Sequence, residues 1–369
     1  MESNLSSSDR RLLQRAIEIG RNGWGRVHPN PMVGCVLVRD GEVIAEGWHE
    51  ELGGPHAEAN ALSRAGDGAK GATAYVSLEP CNHFGRTPPC SSALLEAGVS
   101  RVIYGAADPG NDSSGGGTAL RSSGMELIGP VLSPDEARRE NPAFFFNNEA
   151  EATYVALKLA QTLDGRIAEA PGRRTSITGS EARIETHRLR AGFDGVMVGS
   201  ETVFVDDPLL TVREEVPVRE QPARVILDTR ARTSPEARVF EDAPEVPLVI
   251  FTGEDAPREA VARLERAGAR VHRIPRDPAG VSLKAALEVC WDTGIRSLFC
   301  EGGGRVASHL IRSGLAQRLY LFVAPFVLGG RGVPAFSGME PREAWDAWNA
   351  GAPPLFFGKD VLLTFDRMD

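Results

Sequence analysis

The fold of the first half of the chain is decided by residues 55–65, PHAEANALSRA, and residues 78–90, LEPCNHFGRTPPC. His56, Cys81 and Cys90 within them offer one imidazole and two thiolates, which are ligands that zinc prefers. Three protein ligands leave the fourth tetrahedral position for a water molecule, as in catalytic zinc sites, whereas structural sites use four. The pattern therefore predicts a catalytic zinc site.

Glu58 is predicted to act as a general acid and base, because as a fourth ligand it would close the open position. It is expected to take a proton from the bound water and deliver it to a leaving amine, as in zinc deaminases. His56 and Glu58 would point apart in the middle of a helix, so we place both in a first helical turn, after Pro55. Two prolines likewise predict a helix that begins at Cys90, where the thiolate form is favoured.

The spacing of the two cysteines departs from the general deaminase signature. Eight residues, NHFGRTPP, separate Cys81 from Cys90, where Pro-Cys-x-x-Cys has two. Three alternatives stay open: two buried cysteines beside a surface histidine, a closed structural zinc site, or a site in which His83 replaces a ligand. The other cysteines are expected to be apolar core residues: Cys35, Cys290 and Cys300.

Composition excludes several functional classes. The chain has 369 residues and a formal net charge of -9 that both halves share, so no nucleic-acid partner is expected. The sequence contains no run of about 18 apolar residues, so no membrane span is expected. The N-terminus, MESNLSSSDRR, lacks the apolar core of a secretory signal. Five cysteines are an odd and sparse set, which favours a reduced, cytoplasmic protein over a disulfide-linked one.

Strand patterns alternate with short helical patterns, which predicts α/β sheets covered on both faces. A helix is expected over residues 9–20 with Ser8 as its N-cap, and a hairpin is expected to turn at Asp40-Gly41. Residues 133–152, SPDEARRENPAFFFNNEAEA, interrupt the alternation. We therefore expect two domains: residues 1–148 and residues 149–369.

The second half has no strand–GxGxxG–helix fingerprint, so a Rossmann dinucleotide site is not predicted. Residues 301–304, EGGG, lie between a strand pattern and a helix pattern. Glycines and a helix N-terminus let the backbone approach a phosphate, and Arg305 adds a positive charge there. The same turn is also common in plain strand-to-helix connections, so it predicts a ligand site only weakly.

Three segments resemble the deaminase domain of a bifunctional family of riboflavin biosynthesis: HPNPMVGCVLV, GWHEELGGPHAE and LEPCNHFGRTPPC. The long spacer ending in GRTPPC distinguishes this family from cytidine and transfer-RNA deaminases. LKLAQTLDGRIA, ITGSEAR, LRAGFDGVMVGSETVFVDDPLLTVR, VILDT and CEGGG resemble its reductase domain. The resemblance covers roughly residues 9–330. It implies a cytidine-deaminase-like three-layer domain followed by a dihydrofolate-reductase-like α/β domain.

The resemblance implies a two-step enzyme, a zinc hydrolase and an NADPH oxidoreductase. Zn²⁺ would support hydrolytic deamination of 2,5-diamino-6-(5-phosphoribosylamino)pyrimidin-4(3H)-one, and NADPH would then reduce the ribosyl side chain to ribityl. A homo-oligomer acting on this small molecule is expected, with no nucleic-acid or membrane partner. Three alternatives remain: an active deaminase beside an inactive or altered reductase, a non-catalytic nucleotide sensor, and a nucleic-acid-editing deaminase.

The resemblance also assigns site residues. Zinc binding falls to His56, Cys81 and Cys90, and catalysis to Glu58. Substrate contacts in the first domain fall to Asn30, His49 and Arg86. NADPH contacts fall to Ala160, Ser176, Thr202, Asp206, Gly303, Gly304, Arg305, Val306, Ala307, Ser308 and His309. Substrate contacts in the second domain fall to Lys158, Asp164, Arg174, Arg190, Leu210, Arg213 and Glu301. Two competing interpretations remain: Asn30 and Asp206 could be turn residues only, and the arginines could be ordinary exposed residues.

Two departures from the family pattern affect these assignments. Related sequences usually continue Asp-Pro with Asn-Pro, whereas residues 108–112 here read DPGND. Related sequences also have Ser-x-Trp before Ile-Thr, whereas Arg174 and Ser176 occupy those positions. Loss of the aromatic ring would remove ~0.5–1.5 kcal/mol of stacking, and Arg174 is placed to compensate by binding a phosphate or an adenine face.

Overall fold

A computed structural model describes residues 5–83, 88–111, 113–243, 245–340 and 347–368. The chain forms two compact units, Met1–Glu151 and Ala152–Asp369. The segment that interrupts the strand–helix alternation forms two helices at the end of the first unit, so the boundary expected at residue 148 lies inside the second of them. No described helix is long and apolar enough to cross a membrane.

The described part of the first unit contains one mixed sheet and helices on both of its faces. Its strands are β1 (Gly34–Arg39), β2 (Glu42–Trp48), β3 (Thr73–Leu78), β4 (Arg101–Ala106) and β5 (Glu126–Ile128). Its helices are α1 (Ser7–Gly20), α2 (Ala57–Ala65), α3 (Cys90–Glu96), α4 (Gly116–Ser122), α5 (Pro134–Glu140) and α6 (Pro142–Ala150). The strand order is β2-β1-β3-β4-β5, antiparallel from β2 to β3 and parallel from β3 to β5.

Strand β1 supplies side chains to both apolar layers, because successive residues of a strand face opposite sides. Val36 and Val38 pack with α1 on one face. Cys35 and Leu37 pack with α2, α3 and α4 on the other face. The sheet is therefore covered on both sides, which confirms the predicted three-layer domain.

The local turn predictions have different outcomes. The β1–β2 hairpin turns at Asp40 and Gly41, whose φ values of 54° and 83° are those that an Asp-Gly hairpin turn requires. The N-cap prediction at Ser8 is wrong, because Ser6 caps α1. The Ser6 hydroxyl accepts the N–H of Asp9 at 3.1 Å, and the Asp9 carboxylate accepts the N–H of Ser6 at 3.1 Å.

The described part of the second unit contains one large sheet and two short ribbons. Its strands are β6 (Tyr154–Thr162), β7 (Arg166–Ala168), β8 (Gly195–Gly199), β9 (Ala223–Leu227), β10 (Leu248–Gly253), β11 (Arg270–Ile274), β12 (Arg276–Asp277), β13 (Gly280–Val281), β14 (Ser297–Gly302), β15 (Arg318–Ala324), β16 (Val333–Pro334), β17 (Trp348–Phe357) and β18 (Asp360–Arg367). Its helices are α7 (Ser180–Ala191), α8 (Ser200–Asp206), α9 (Arg258–Arg266), α10 (Leu283–Asp292) and α11 (Gly304–Arg312).

The large sheet has nine strands among the described residues, in the order β11-β10-β9-β8-β14-β6-β15-β18-β17. From β11 at one edge of this order to β15, each strand is parallel to its neighbours. Strands β18 and β17 complete the other edge and are antiparallel. The late strand β14 lies between β6 and β8, so the chain order reverses there. Ligands of such sheets bind at the carboxyl ends of the strands near the reversal, which directs attention to the ends of β6, β8 and β14.

Candidate functional sites

Donor atoms of three side chains form a compact cluster in the first unit. The His56 Nδ1 atom lies 3.5 Å from the Cys81 sulfur and 3.4 Å from the Cys90 sulfur. Among the described residues, these three form the group whose ligand atoms all lie within 4.8 Å of one another, and His83 is not part of it. A nitrogen at about 2.0 Å and a sulfur at about 2.3 Å from one tetrahedral zinc are separated by about 3.5 Å. The cluster therefore fits a zinc ion.

Three elements of the first unit place these ligands. His56 is the N-cap of α2, Cys90 is the first residue of α3, and Cys81 follows strand β3. Proline precedes both helices at the positions that the sequence indicated. The ligands are thus fixed by two helix starts and one strand end, which are rigid parts of the unit.

Glu58 lies buried in the first turn of α2, beside the donor cluster. Burial raises the pKa of its carboxyl group to about 7, although the charge of His56 opposes the shift. The carboxyl group also hydrogen bonds with the Cys90 thiol. A carboxyl group with a pKa near neutrality can both accept and release a proton at physiological pH.

The two cysteines differ in protonation. A hydrogen bond from the Cys90 thiol lowers the pKa of Cys81, and His56 contributes to the same shift. The same hydrogen bond raises the pKa of Cys90. One thiolate is therefore already favoured beside an imidazole, which is the form of cysteine that binds a metal.

Asn30 and His49 lie next to the donor cluster. The His49 ring meets the His56 ring edge-on, with the centroids 5.4 Å apart. His49 Nδ1 lies 3.0 Å from the Pro55 carbonyl oxygen, so this nitrogen carries the hydrogen, and His49 Nε2 faces the Asn30 amide nitrogen at 3.3 Å. Burial lowers the pKa of His49, which keeps the ring neutral. Arg86, the other predicted contact in this domain, lies outside the described residues.

A charged cluster in the second unit joins α7, the end of β14 and the segment after α8. The Arg190 guanidinium forms a bidentate pair with Glu301, with Nη2 3.0 Å from Oε2. Arg190 Nη1 also donates to the Thr211 carbonyl at 2.9 Å, and Arg213 Nη1 donates to the Thr211 hydroxyl at 3.0 Å. The Arg213 backbone N–H donates to His187 Nδ1 at 3.1 Å. Three predicted substrate residues therefore lie together.

Lys158 belongs to the same cluster. It lies on β6, the neighbour of β14, and its ammonium group is 5.5 Å from the centre of the Phe322 ring. Burial lowers the pKa of Lys158, while Glu301 raises it and Arg190 lowers it further. The cluster thus places three basic side chains, those of Arg190, Arg213 and Lys158, around one carboxylate.

Sequence reasoning did not identify two members of this charged cluster, His187 and Thr211. His187 precedes Arg190 by three residues on α7, so the two side chains share one helix face. That spacing is a signal for His187. Thr211 acts through its carbonyl oxygen, which no residue type reveals.

The glycine turn after β14 packs against Thr202. The Thr202 hydroxyl donates to the Gly302 carbonyl at 3.0 Å, and a Cβ on Gly303 would lie 3.2 Å from that hydroxyl. Gly303 has a φ of 96°, a conformation that favours glycine, and α11 begins at Gly304. The turn therefore brings glycine backbone and a helix start beside one hydroxyl, an arrangement that suits a phosphate group.

Several predicted contact residues have side chains that are buried in a core or that contact other residues of the protein. Leu210 and Ala307 are buried in apolar cores, and the Ser308 hydroxyl donates to the Gly304 carbonyl at 2.8 Å. His309 Nε2 lies 3.1 Å from the Asp277 carboxylate. Leu210, Ala307 and Ser308 can therefore offer a ligand little beyond their backbone.

Asp164 is also committed to the protein. Its carboxylate accepts the Thr162 hydroxyl at 2.5 Å, the Leu328 N–H at 3.2 Å and the Gly329 N–H at 2.8 Å. These contacts connect the turn after β6 with the segment after β15. The structure thus gives Asp164 a role in joining two loops at the carboxyl edge of the sheet.

Residues at the departures from the family pattern are exposed. Arg174 and Ser176 lie on the surface between β7 and α7. Burial raises the pKa of Asp206, and the charge of Arg174 lowers it, so Arg174 lies near the end of α8. The remaining predicted cofactor residues, Ala160, Arg305 and Val306, lie on β6 and in the first turn of α11.

Family models match both units. Residues 6–106 match the zinc-binding region of cytidine and deoxycytidylate deaminases, and residues 153–350 match the RibD C-terminal domain. With the three-layer fold and the histidine–cysteine cluster, these matches define a bifunctional enzyme in which a zinc-binding deaminase domain precedes a reductase domain. The zinc prediction is confirmed at this level.

Relatives match nearly the whole chain. RibD of Escherichia coli is 37% identical and the match covers 96% of this chain and 98% of the relative, and RibD of Haemophilus influenzae is 38% identical with 98% of each covered. The structure of Acinetobacter baumannii RibD is 34% identical, with a TM-score of 0.84 over 98% of this chain and 99% of that one. A Thermotoga maritima diaminohydroxyphosphoribosylaminopyrimidine deaminase/5-amino-6-(5-phosphoribosylamino)uracil reductase is 33% identical, with a TM-score of 0.82 over the same shares. The chain belongs to the RibD family of riboflavin biosynthesis proteins, which confirms the resemblance.

Proposed function

We propose that this chain catalyses two consecutive reactions of riboflavin biosynthesis. The first is hydrolytic deamination of 2,5-diamino-6-(5-phosphoribosylamino)pyrimidin-4(3H)-one, and the second is NADPH-dependent reduction of the ribosyl side chain to ribityl. The observation that carries the proposal is the cluster of His56, Cys81 and Cys90 beside a buried Glu58, in a chain that matches RibD relatives along nearly its full length.

His56, Cys81 and Cys90 would hold zinc in the deaminase domain. When bound, zinc supplies Lewis acidity that makes a water molecule nucleophilic near neutral pH. Glu58 holds the proton that this water loses and delivers it to the amino nitrogen on C2, so that water and the amine become a carbonyl group and ammonia. The pKa of Glu58, near 7, suits both halves of this transfer.

Asn30 and His49 orient the pyrimidine in this proposal. Hydrogen bonds to Pro55 and Asn30 fix the neutral His49 ring beside His56. A fixed neutral imidazole can direct the Asn30 amide toward a base edge without adding charge. Correct placement of the reacting carbon near the metal ligands is itself a large part of catalysis.

Arg190 and Arg213 bind the substrate phosphate in the reductase domain, and Glu301 keeps Arg190 in place. Thr202 and the turn at Gly303 would hold NADPH, which supplies a hydride. Hydride delivery to C1′ of the opened sugar requires mainly alignment, so no single side chain needs to act as the base. Lys158 lies near Glu301 and contacts the opened sugar in this proposal.

The proposal includes a cytoplasmic, homo-oligomeric enzyme without nucleic-acid or membrane partners. Five buried free cysteines suit a reducing compartment, and the acidic net charge disfavours polyanion binding. Light scattering during gel filtration tests the oligomeric state.

Incubation with the diaminopyrimidine substrate and NADPH tests the proposal when ammonia and NADPH absorbance are followed together. We expect one ammonia and one NADPH oxidised per product. The Glu58→Ala variant should lose ammonia release by at least about a hundredfold while zinc content stays unchanged, and it should still oxidise NADPH with the deaminated intermediate. Absence of NADPH oxidation in the wild-type protein would reject the second reaction.

A further inference from the structure

One carboxylate in the first unit holds both ends of the connection between β4 and α4. Glu79 stands two residues before Cys81 in the segment after β3. Its Oε1 atom accepts the N–H of Gly117 at 2.9 Å, and its Oε2 atom accepts the N–H of Asp108 at 3.3 Å. The side chain thus joins the segment of a predicted zinc ligand to the start and the end of a separate connection.

The segment around Cys81 touches the same connection at two further points. A Cβ on Gly116 would overlap the Pro80 carbonyl oxygen, so the backbones are in direct contact there. The Asn82 N–H donates to the Ser113 carbonyl at 3.0 Å. The connection is rich in glycine, whose backbone loses the most conformational entropy when it is ordered. Contacts from outside the connection are therefore needed to fix it.

The connection carries Asp108 to the donor cluster. The Asp108 carboxylate accepts the N–H of Gly110 at 2.9 Å, which holds the side chain over its own turn. The pairing of β3 with β4 places it there: Leu78 pairs with Ala106, and the Glu79 N–H donates to the Ala106 carbonyl at 2.8 Å. Asp108, two residues after Ala106, therefore lies beside the segment that carries Cys81, and its charge raises the pKa of His56. The backbone N–H of this same residue, Asp108, donates to the Glu79 carboxylate.

We propose that Glu79 is a positioning residue for the deamination, which acts by fixing Asp108 beside the metal ligands. Because both of its oxygens accept backbone N–H groups, we assign Glu79 a positioning role and no contact with metal or substrate. The fixed Asp108 carboxylate presents an acceptor where a substrate rich in N–H donors has to bind. The inference rests on the proposed deaminase function.

The Glu79→Gln variant of the full-length, zinc-loaded protein tests the inference, because the amide keeps only one acceptor. We expect kcat/KM for ammonia release to fall about tenfold, as for one lost hydrogen bond to a charged acceptor. Zinc content should stay unchanged. Glu136→Gln is the matched control, because Glu136 also accepts a backbone N–H, that of Ser133 at 2.8 Å, in the capping box of α5. The control should keep wild-type activity.

A double-mutant cycle separates positioning from a general structural role. If Glu79 acts through Asp108, Glu79→Gln should cause no further loss in an Asp108→Asn background. Additive losses, unchanged kcat/KM in Glu79→Gln, or loss of zinc in that variant would each overturn the inference.

Hydrogen exchange gives a readout that does not depend on activity. The peptide that contains Asp108 and Gly117 should exchange faster in Glu79→Gln than in the wild-type protein or in Glu136→Gln, and equal exchange would overturn the inference. Wild-type protein that releases no ammonia would instead reject the proposed function, while the exchange result would still report on Glu79.

Discussion

Glu58 and Glu301 show how two glutamates are adapted to different tasks by their surroundings. Burial raises the pKa of Glu58 to about 7; the charge of His56 opposes this shift, and the charge of Cys81 adds to it. Burial also raises the pKa of Glu301, but the charge and hydrogen bonds of Arg190, together with Lys158, outweigh this effect and lower it overall. Glu58 can therefore carry a proton near neutral pH, whereas Glu301 remains an anion that orients Arg190.

His187 makes the stability of the second unit depend on pH. Burial, Arg190 and Arg213 lower its pKa to about 4, below the 6.5 that is usual for histidine. The unfolded chain therefore binds more protons between these values, so stability rises with pH across this window and falls as the solution is acidified. We expect His187→Asn, which keeps an acceptor for the Arg213 N–H, to show a flatter stability profile from pH 4 to 6.5 in urea unfolding. Parallel profiles for the two proteins would contradict this assignment.

Residues of the metal cluster could be predicted because their signal is local. His56 and Glu58 are two residues apart, and Cys81 and Cys90 each adjoin a proline. Glu79 could not be identified in this way, since its role depends on backbone groups brought close by the pairing of β3 with β4. A side chain that acts on another segment's backbone leaves no pattern in residue types.

Elements whose own sequence decides their structure were predicted well, and elements that depend on a partner were not. Strand β6 is mostly apolar apart from Lys158 and lies between two parallel neighbours, so its residue pattern is typical of a buried strand. Strand β17 contains two prolines and a glycine, and it forms because β18 supplies an antiparallel partner at the sheet edge. Helix α8 contains TVFV, which is typical of a strand, yet it follows β8 directly and turns at Gly199.

The turn after β6 and the segment after β15 should loosen together when Asp164 changes. Asp164→Asn replaces an oxygen that accepts backbone N–H groups with an N–H₂ group, which would face donors. We expect the melting temperature to fall by about 2–4 °C, as for loss of roughly one hydrogen bond in a domain of this size. Calorimetry of the full chain measures the shift.

Asp292→Asn provides the matched control for this change. Asp292 is exposed at the end of α10, so its substitution should leave the melting temperature unchanged. Equal melting temperatures for Asp164→Asn and the wild-type protein would contradict a role of this carboxylate in joining the two loops.

At the scale of the whole molecule, each unit has its own apolar cores. Cys35, Leu37 and Val76 belong to cores built within the first unit, and Leu157 and Phe251 belong to cores built within the second. The donor cluster lies in the first unit, and the cluster of arginines lies in the second. The two proposed reactions should therefore respond separately to loss of the metal.

Removal of zinc by a chelator should abolish ammonia release and leave NADPH oxidation with the deaminated intermediate unchanged. Metal binding to deprotonated thiols adds to folding stability, so the chelated protein should also unfold in two steps, the earlier one belonging to the first unit. Added Zn²⁺ should restore the release of ammonia and raise the unfolding temperature of the first unit again. Mg²⁺, which prefers oxygen ligands, should restore neither. Loss of NADPH oxidation on chelation would show that the reductase reaction depends on the metal, contrary to the separation of the two cores.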